Sequence, residues 1–492
     1  MNAPLLEYLT QQLAELGPLS QGLLPEWILT ISIILTLLLS LFPVKKQSIL
    51  WLAQIGLLLA LGANLLFPPA ESMSLFGGML SVDGIAQYAR ILILGTTFIV
   101  FAMDGPAHKR KEEYYPLVLG VALGASIASL SFNLLTAILA VELISLVSYV
   151  LVGLEDDNRE SAYAALQYLL FGLLTTGMSL YGLSWLYGMT GSFELGTKEN
   201  LEALAAVPIW TSLPILLLTL STFFFKLAAF PFHFWTPQVY RQVSYPLLAL
   251  LSTLPKIAGT LFLLRIVHVL QDWAYASEFS FALLILALFS MTWGNLSALN
   301  QKHFKSVMAY SGIAQAGYFL LGLGWMSLFG ESSVLFYLGI YVLINILPII
   351  SAMSLDREGL LDNFSGKGQV NIWASLGMAI GLVGLAGLPP TAGFIGKWFL
   401  FSAGVEHMTT ETQNWILFVL AVAVLNTLIS LFYYLKPLIM LFLRPRIGKD
   451  DDELKTSMTH KGLIAIISLL ILTLGVYGFD DVMDYLGQVL WK

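Results

Sequence analysis

The sequence predicts an all-α polytopic membrane protein with about fourteen transmembrane helices, and three observations carry that expectation. Of 492 residues, 57% are hydrophobic and only 11% are charged, where soluble domains carry about 25% charged residues. Apolar runs near 20 residues recur from Glu26 to Gly478 with short polar punctuation, each long enough to cross about 30 Å of hydrocarbon. None alternates polar and apolar as a barrel strand would, so the spans are helices.

Taken in order, spans 1 to 3 fall at 26–42, 48–67 and 84–103, within an N-terminal three-helix segment over 1–113. Between spans 2 and 3, the Gly-centred stretch MSLFGGMLSV suits a small surface hairpin. Spans 4 to 8, at 114–131, 133–153, 162–188, 208–232 and 245–270, make a first unit over 114–270. Spans 9 to 13, at 279–299, 305–325, 332–353, 370–403 and 413–442, make a second over 279–442. Span 14, at 461–479, belongs to the last segment, 461–492. No stretch between spans is long enough for a soluble domain, so 1–492 is one membrane domain.

Two spans are interrupted. Span 12 covers about 34 residues and holds Pro389, Pro390, Gly393 and Gly396, while span 7 runs into KLAAFPFHFWTP with Pro231 and Pro237. Proline removes a backbone donor and clashes with the preceding turn, so both spans are expected to be discontinuous. They lie five spans apart, and an odd offset reverses orientation. This points to two inverted five-helix repeats, a common setting for a transport site near the bilayer midplane. Span 8, with LLALLSTLPK ending at Lys256, is echoed by span 13, with LNTLISLFYYLKP and Lys436.

Charge orients the chain. Placing the loops after odd-numbered spans on the cytoplasmic side collects sixteen Lys and Arg, against three (Lys198, Arg265 and Lys492) on the other side. The positive-inside rule then puts both termini outside. The first 44 residues hold no Lys or Arg, so no cleaved signal peptide is expected. With no cysteine, no facing histidine pair for a haem and no Gly-rich phosphate loop, electron transfer and nucleotide chemistry are not expected of this chain, and no cofactor or metal is assigned to it. The KDDDE run near the C-terminal end reads as a solvated face, with partner docking as the alternative.

Charges inside the spans are the candidates for function, because an ionisable group at the bilayer centre costs about 3 kcal/mol on insertion scales. Glu142 lies about nine residues into span 5 and Lys256 about a dozen into span 8, while Lys226 and Lys397 belong to the interrupted spans. The sharp reading is a proton relay in which Glu142 and Lys226 act as a coupled pair and pass a proton through Lys256 towards Lys397. The plain alternative is a structural ion pair between Glu142 and Lys226. His233 is a candidate relay between Lys226 and Lys256, or else an interfacial hydrogen-bonding group. Tyr149, Ser145, Ser148, Thr222 and Tyr310 are candidates to hold relay waters, although such residues more often bond across helices. Lys436 is an exit candidate or a snorkelling helix-end lysine. Arg90 reads as structural, because span 3 lies outside both repeats. Glu155, Asp156 and Asp157 are expected to cap span 5, with a cation funnel as the alternative.

The motifs ELISLVSYVLVG with Glu142, FKLAAFPFHFWTPQVY with Lys226 and His233, PKIAGTLFLLR with Lys256, and GLPPTAGFIGKW with Lys397 resemble the antiporter-like membrane subunits of bacterial respiratory complex I, the NADH:quinone oxidoreductase, most closely the subunit N type. The resemblance covers nearly the whole chain. Lys397 separates it from the M type, which resembles it but has glutamate there, and the lack of a long C-terminal extension separates it from the L type. The resemblance implies a proton-translocating, non-redox subunit driven by quinone reduction elsewhere, with FMN, iron–sulfur clusters and quinone in other subunits. It implies as partners the paralogous M and L subunits, small membrane subunits and the lipid bilayer, with no nucleic acid and no homo-oligomer. It implies an energy-conserving membrane, the bacterial cytoplasmic membrane, as location.

The sequence departs from that family pattern at three places. Gln167 in span 6 stands where a lysine is common, Gln315 in span 10 where a histidine is common, and Gln238 and Arg241 replace an acidic pattern in the loop after span 7. Multi-subunit sodium/proton antiporters look like the same fold and are the alternative from another functional class. A membrane arm serving a hydrogenase or another dehydrogenase is the third.

Overall fold

The computed structural model describes residues 21–68, 72–104, 111–155, 159–356, 358–446 and 456–489. The loop residues Lys109, Arg110, Asp156, Asp157, Arg357, Lys455 and Lys492, and the KDDDE run, lie outside these. The helices, in chain order, are α1 Leu24–Ser40, α2 Lys46–Leu66, α3 Gly84–Met103, α4 Tyr114–Leu130, α5 Leu134–Leu154, α6 Arg159–Thr190, α7 Lys198–Ala205, α8 Ile209–Thr219, α9 Ser221–Leu227 and α10 Thr236–Gln242. They continue with α11 Tyr245–Leu270, α12 Ala276–Ala298, α13 Phe304–Gly324, α14 Leu328–Leu355, α15 Ile372–Ala386, α16 Ala392–Glu406, α17 Gln413–Leu443, α18 Met458–Val476 and α19 Phe479–Val489.

Ten of these are long and apolar enough to cross a membrane, or eleven when the bent pair α8 and α9 counts as one span. Three shorter apolar helices, α1, α4 and α15, have 17, 17 and 15 residues. Together they occupy the expected fourteen places, and α16 follows α15 beyond a break at 387–391. The expected hairpin is β1 Met73–Leu75 against β2 Leu80–Val82, antiparallel, with Leu75 opposite Leu80. Its turn runs through Phe76, Gly77 and Gly78, all at positive φ, where glycine carries no Cβ penalty.

Helix α11 is the hub of the molecule. It packs against α3, α4, α5, α9, α13 and α14, so it touches both halves of the chain, and it is buried along its whole apolar window. Pro255 within it has no N–H to give the Leu251 carbonyl, and the Tyr240 hydroxyl donates to that carbonyl instead at 3.1 Å. By contrast α6, α17 and α18 keep large apolar side chains exposed, as helices facing lipid or another membrane protein do.

Two buried ion pairs fasten the N-terminal helices. Arg90 on α3 grips Glu26 on α1 through two bonds of 2.8 and 2.7 Å and donates a third to the Gly22 carbonyl, while Ser126 on α4 also donates to Glu26. This is the structural role expected of Arg90. Arg265, counted by the sequence reading among outer loop charges, is instead 1% exposed inside α11. Its fork meets Asp83 at 2.6 and 2.8 Å, and Asp83 also caps α3 by accepting the Ala86 N–H. The loop estimate failed here because a partner on another helix makes burial of the arginine tolerable.

Candidate functional site in the interrupted helices

Both interrupted spans are discontinuous, and the break in span 7 is double. Between α8 and α9 the axis bends by 48° at Leu220, ahead of the prolines that signalled it. The cause lies on α6: the Ser179 hydroxyl donates to the Thr219 carbonyl, and Ser221 donates to the Thr175 carbonyl at 3.0 Å. Hydroxyls inserted into the helical ladder in this way kink a helix. Gly182 permits the approach, since a Cβ there would lie 2.5 Å from the Thr219 nitrogen.

The second break of span 7 and the break of span 12 have the same local geometry. Ala228 and Gly387 are both left-handed, at φ 59° and 78°. In each, the next N–H reaches back five residues, from Ala229 to Phe224 at 2.9 Å and from Leu388 to Val383 at 3.2 Å. This is the Schellman arrangement that ends a helix. A cis peptide bond follows in both, at Phe230–Pro231 and Pro389–Pro390.

A lysine ammonium caps each of these helix ends. Lys256, reaching across from α11, donates to the Leu227 carbonyl at the end of α9 and to Gly312 on α13 at 2.9 Å. Lys397, on α16, donates to Leu385 at 3.0 Å and Ala386 at 3.2 Å at the end of α15. Leu227 and Ala386 are equivalent, each one residue before its left-handed cap. A cation on the last carbonyls of a helix meets both unpaired acceptors and the negative end of the helix dipole. The breaks therefore create the sites at which a buried ammonium is tolerated.

The third lysine is held differently. Lys226 lies one residue before Leu227 on the short helix α9, 1% exposed, and its ammonium makes no hydrogen bond among the described residues. It stands over the rings of Phe225, Tyr168 and Tyr149 at 5.0, 5.3 and 5.5 Å. Aromatic faces attract a cation without consuming its donors. The Thr222 hydroxyl nearby on the same helix is also without a partner among the described residues.

Glu142, at the ninth position of the 21-residue α5, accepts a hydrogen bond from the Thr176 hydroxyl on α6 and is only half-buried. It makes no direct ion pair with Lys226, on whose side the aromatic cage stands, and the two are coupled by charge acting through space. His233 is 1% exposed, but its ring packs among Phe234, Trp293 and Phe230 at 4.3, 5.5 and 5.7 Å and its nitrogens bond to neither lysine. Tyr310 is half-buried, and its hydroxyl makes no hydrogen bond to Glu142, Lys226, Lys256 or Lys397. Lys436, seven residues before the end of α17, donates to the Gln301 carbonyl beyond α12 at 3.0 Å. Gln167, Gln238 and Arg241, the departures from the expected pattern, come together with Arg159, Glu160 and Gln242 around a cleft of about 500 Å³.

Sequence reasoning named Tyr149, one of the cage rings, but missed the other tyrosines around the lysines. Tyr168 forms part of the Lys226 cage, and Tyr318 places its ring 4.5 Å from the Lys397 ammonium. Tyr337, Tyr341 and Tyr434 are fully buried between Lys256 and Lys397. Glu331 at the start of α14 was also passed over: it is 0% exposed and accepts from Gln271 at 2.5 Å, with His268 Nδ1 3.2 Å away. Its place near a span end hid it, because the search was for charges at mid-depth.

Fold and site together define a polytopic membrane protein of the ion-translocating kind, with discontinuous helices presenting buried lysines. The NADH:quinone oxidoreductase/Mrp antiporter transmembrane family matches residues 131–430. The chain is 32% identical over 483 residues to NADH-quinone oxidoreductase subunit N of Anaeromyxobacter sp. (strain Fw109-5), covering 92% of this chain and 93% of that protein. A chain of respiratory complex I from Thermus thermophilus superposes with a TM-score of 0.74 at 29% identity, over 92% of this chain and 97% of that one. A chain of the Mrp complex from Dietzia sp. DQ12-45-1b shares the fold, with a TM-score of 0.80 at 18% identity over 95% of this chain and 96% of that one. The chain belongs to the NADH:quinone oxidoreductase/Mrp antiporter membrane-subunit family.

Proposed function

We propose that this chain translocates protons as a subunit of the membrane arm of an NADH:quinone oxidoreductase, through a relay running from Glu142 to Lys226, Lys256 and Lys397. The observation that carries this reading is the pair of matched helix breaks, each with a lysine ammonium on its terminal carbonyls. A cation is held there by groups that do not neutralise it, so a proton can leave without breaking an ion pair.

From Lys226 onward, contacts link the members of the relay. Lys226 and the Leu227 carbonyl that binds Lys256 are neighbours in the chain. Lys256 binds the Gly312 carbonyl on α13, and Gln315, one turn along, binds the Leu385 carbonyl that also binds Lys397. The two five-helix units, 114–270 and 279–442, each contribute one of the two matched breaks. Redox chemistry is assigned to other subunits of the enzyme, since this chain has no cysteine to ligate an iron–sulfur cluster. FMN, iron–sulfur clusters and quinone belong to other subunits.

Glu142 gives the reason for partners. A carboxylate half-exposed at mid-span cannot face hydrocarbon without a large cost. A neighbouring membrane subunit, one of the paralogous M or L subunits or a small one, covers that face in the complex. The location is the bacterial cytoplasmic membrane, with both termini outside.

The test is proton pumping and NADH:quinone turnover in membranes carrying Lys226→Ala and, separately, Lys397→Ala, with assembly of the complex checked. Loss of pumping, or a tightly coupled loss of turnover, in an assembled complex is the expected result. Pumping at the unaltered rate in both variants would remove the lysines from the pathway.

A further inference from the structure

Between Lys256 and Lys397 the hydrogen-bonded contacts pass through Gln315, and a side-chain amide neither gains nor loses a proton in normal function. Hydroxyls surround it. Gln315 Nε2 donates to the Tyr434 hydroxyl at 3.4 Å, and that hydroxyl lies 2.5 Å from Ser311 Oγ. The Tyr337 hydroxyl donates to Gln315 Oε1. Ser311, Gln315, Tyr337 and Tyr434 are each no more than 1% exposed. Ser311 precedes Gly312, whose carbonyl holds Lys256, while Gln315 shares the Leu385 carbonyl with Lys397.

We propose that the hydroxyls of Tyr434 and Ser311 carry the proton past Gln315 between Lys256 and Lys397. The Tyr434 oxygen accepts from Gln315, and either of Tyr434 and Ser311 can donate to the other, so the pair can hand a proton on in either direction. Each hydroxyl takes up one proton as it gives up another, so both end unchanged while one lysine loses a proton and the other gains it. Gln315 orients Tyr434 and does not itself titrate. Tyr337 holds the amide from the far side, which fixes the direction in which Nε2 points. This inference rests on the lysine relay proposed above.

The experiment compares Tyr434→Phe, Ser311→Ala, Gln315→His, the double variant Tyr434→Phe with Gln315→His, and Lys397→Ala as a control. Each is made in the whole complex, with assembly verified, and proton pumping per quinone reduced is read in inside-out vesicles. Tyr434→Phe, which keeps the ring and removes only the hydroxyl, is expected to lower pumping about tenfold or more. A titratable histidine at position 315 supplies a bypass, so the double variant is expected to regain much of the loss. Should Tyr434→Phe fail to assemble, Ser311→Ala reads the same route and is expected to lower pumping as well. Loss in Tyr434→Phe without recovery in the double variant, where Gln315→His alone pumps, would make Tyr434 a structural tie between α13 and α17 and overturn the proposal. Normal pumping in Tyr434→Phe with loss in Lys397→Ala would also overturn it and leave the lysine relay standing. Normal pumping in both would bring down the lysine relay and this inference with it.

Discussion

The ammonium of Lys397 and the side-chain amide of Gln315 bind the same oxygen, the Leu385 carbonyl, at 3.0 and 3.3 Å. One residue is the last lysine of the proposed relay and the other sits on the helix that holds Lys256. The shared acceptor is available only because α15 stops at Gly387, leaving its final carbonyls without intrahelical partners. The break, the lysine and the contact to the neighbouring helix are therefore one device.

That dependence makes Gly387 a sensitive position. Its φ is 78°, and a Cβ there would lie 2.8 Å from Lys397 Cδ. Gly387→Ala is expected to cost about 1–2 kcal/mol in backbone strain alone and to displace the lysine as well. Ala228, the equivalent residue, already bears that strain at φ 59°, so Ala228→Gly is expected to be neutral or stabilising by up to about 1 kcal/mol. Heat resistance of the assembled complex, read beside its turnover, checks both.

Glu142→Gln keeps an acceptor for the Thr176 hydroxyl while removing the charge and the titration. Assembly is expected to be unchanged and proton pumping to fall about tenfold or more. Pumping at the unaltered rate would mean that Glu142 serves only as a hydrogen-bond acceptor between α5 and α6.

Glu26→Gln tests the structural ion pair. Arg90 would stay buried at 2% exposure without its counter-charge, a change that costs about 3–5 kcal/mol. The expected outcome is loss of assembled protein from the membrane, with normal turnover in whatever fraction does assemble. The paired replacement Glu26→Leu with Arg90→Met removes both charges and is expected to restore much of the protein level. Immunodetection of the assembled complex measures each.

What could be read from the sequence follows its physics. Spans are legible because hydrocarbon demands long apolar runs, and the hairpin at Met73–Val82 was marked by Gly77 and Gly78. The interruption of span 12 was marked by Pro389 and Pro390, and the structure ends α15 just before them. The bend at Leu220 was not legible, because its cause is Ser179 on another helix. For the same reason Arg265 was misplaced: its partner Asp83 is far away in sequence. Lys226 and Lys397 were picked out by the interrupted spans, and Glu142 and Lys256 by depth along a span. Neither signal could reveal that the lysines sit on helix-terminal carbonyls or among rings, since that depends on which helices cross at the breaks. Tyrosine carries no such signal, because a buried tyrosine is ordinary in a helix bundle, and Tyr434 was passed over while Tyr310 was chosen.

The central claim is that a proton passes through Lys256, which joins the break of the first half to α13 of the second. The most direct test is the number of protons moved per quinone reduced by the purified complex in proteoliposomes, with Lys256→Met against the unaltered chain. Methionine keeps the apolar stem and removes the ammonium. A lower ratio, or turnover that falls with pumping in an intact complex, is the expected result; an unchanged ratio at full turnover would contradict it.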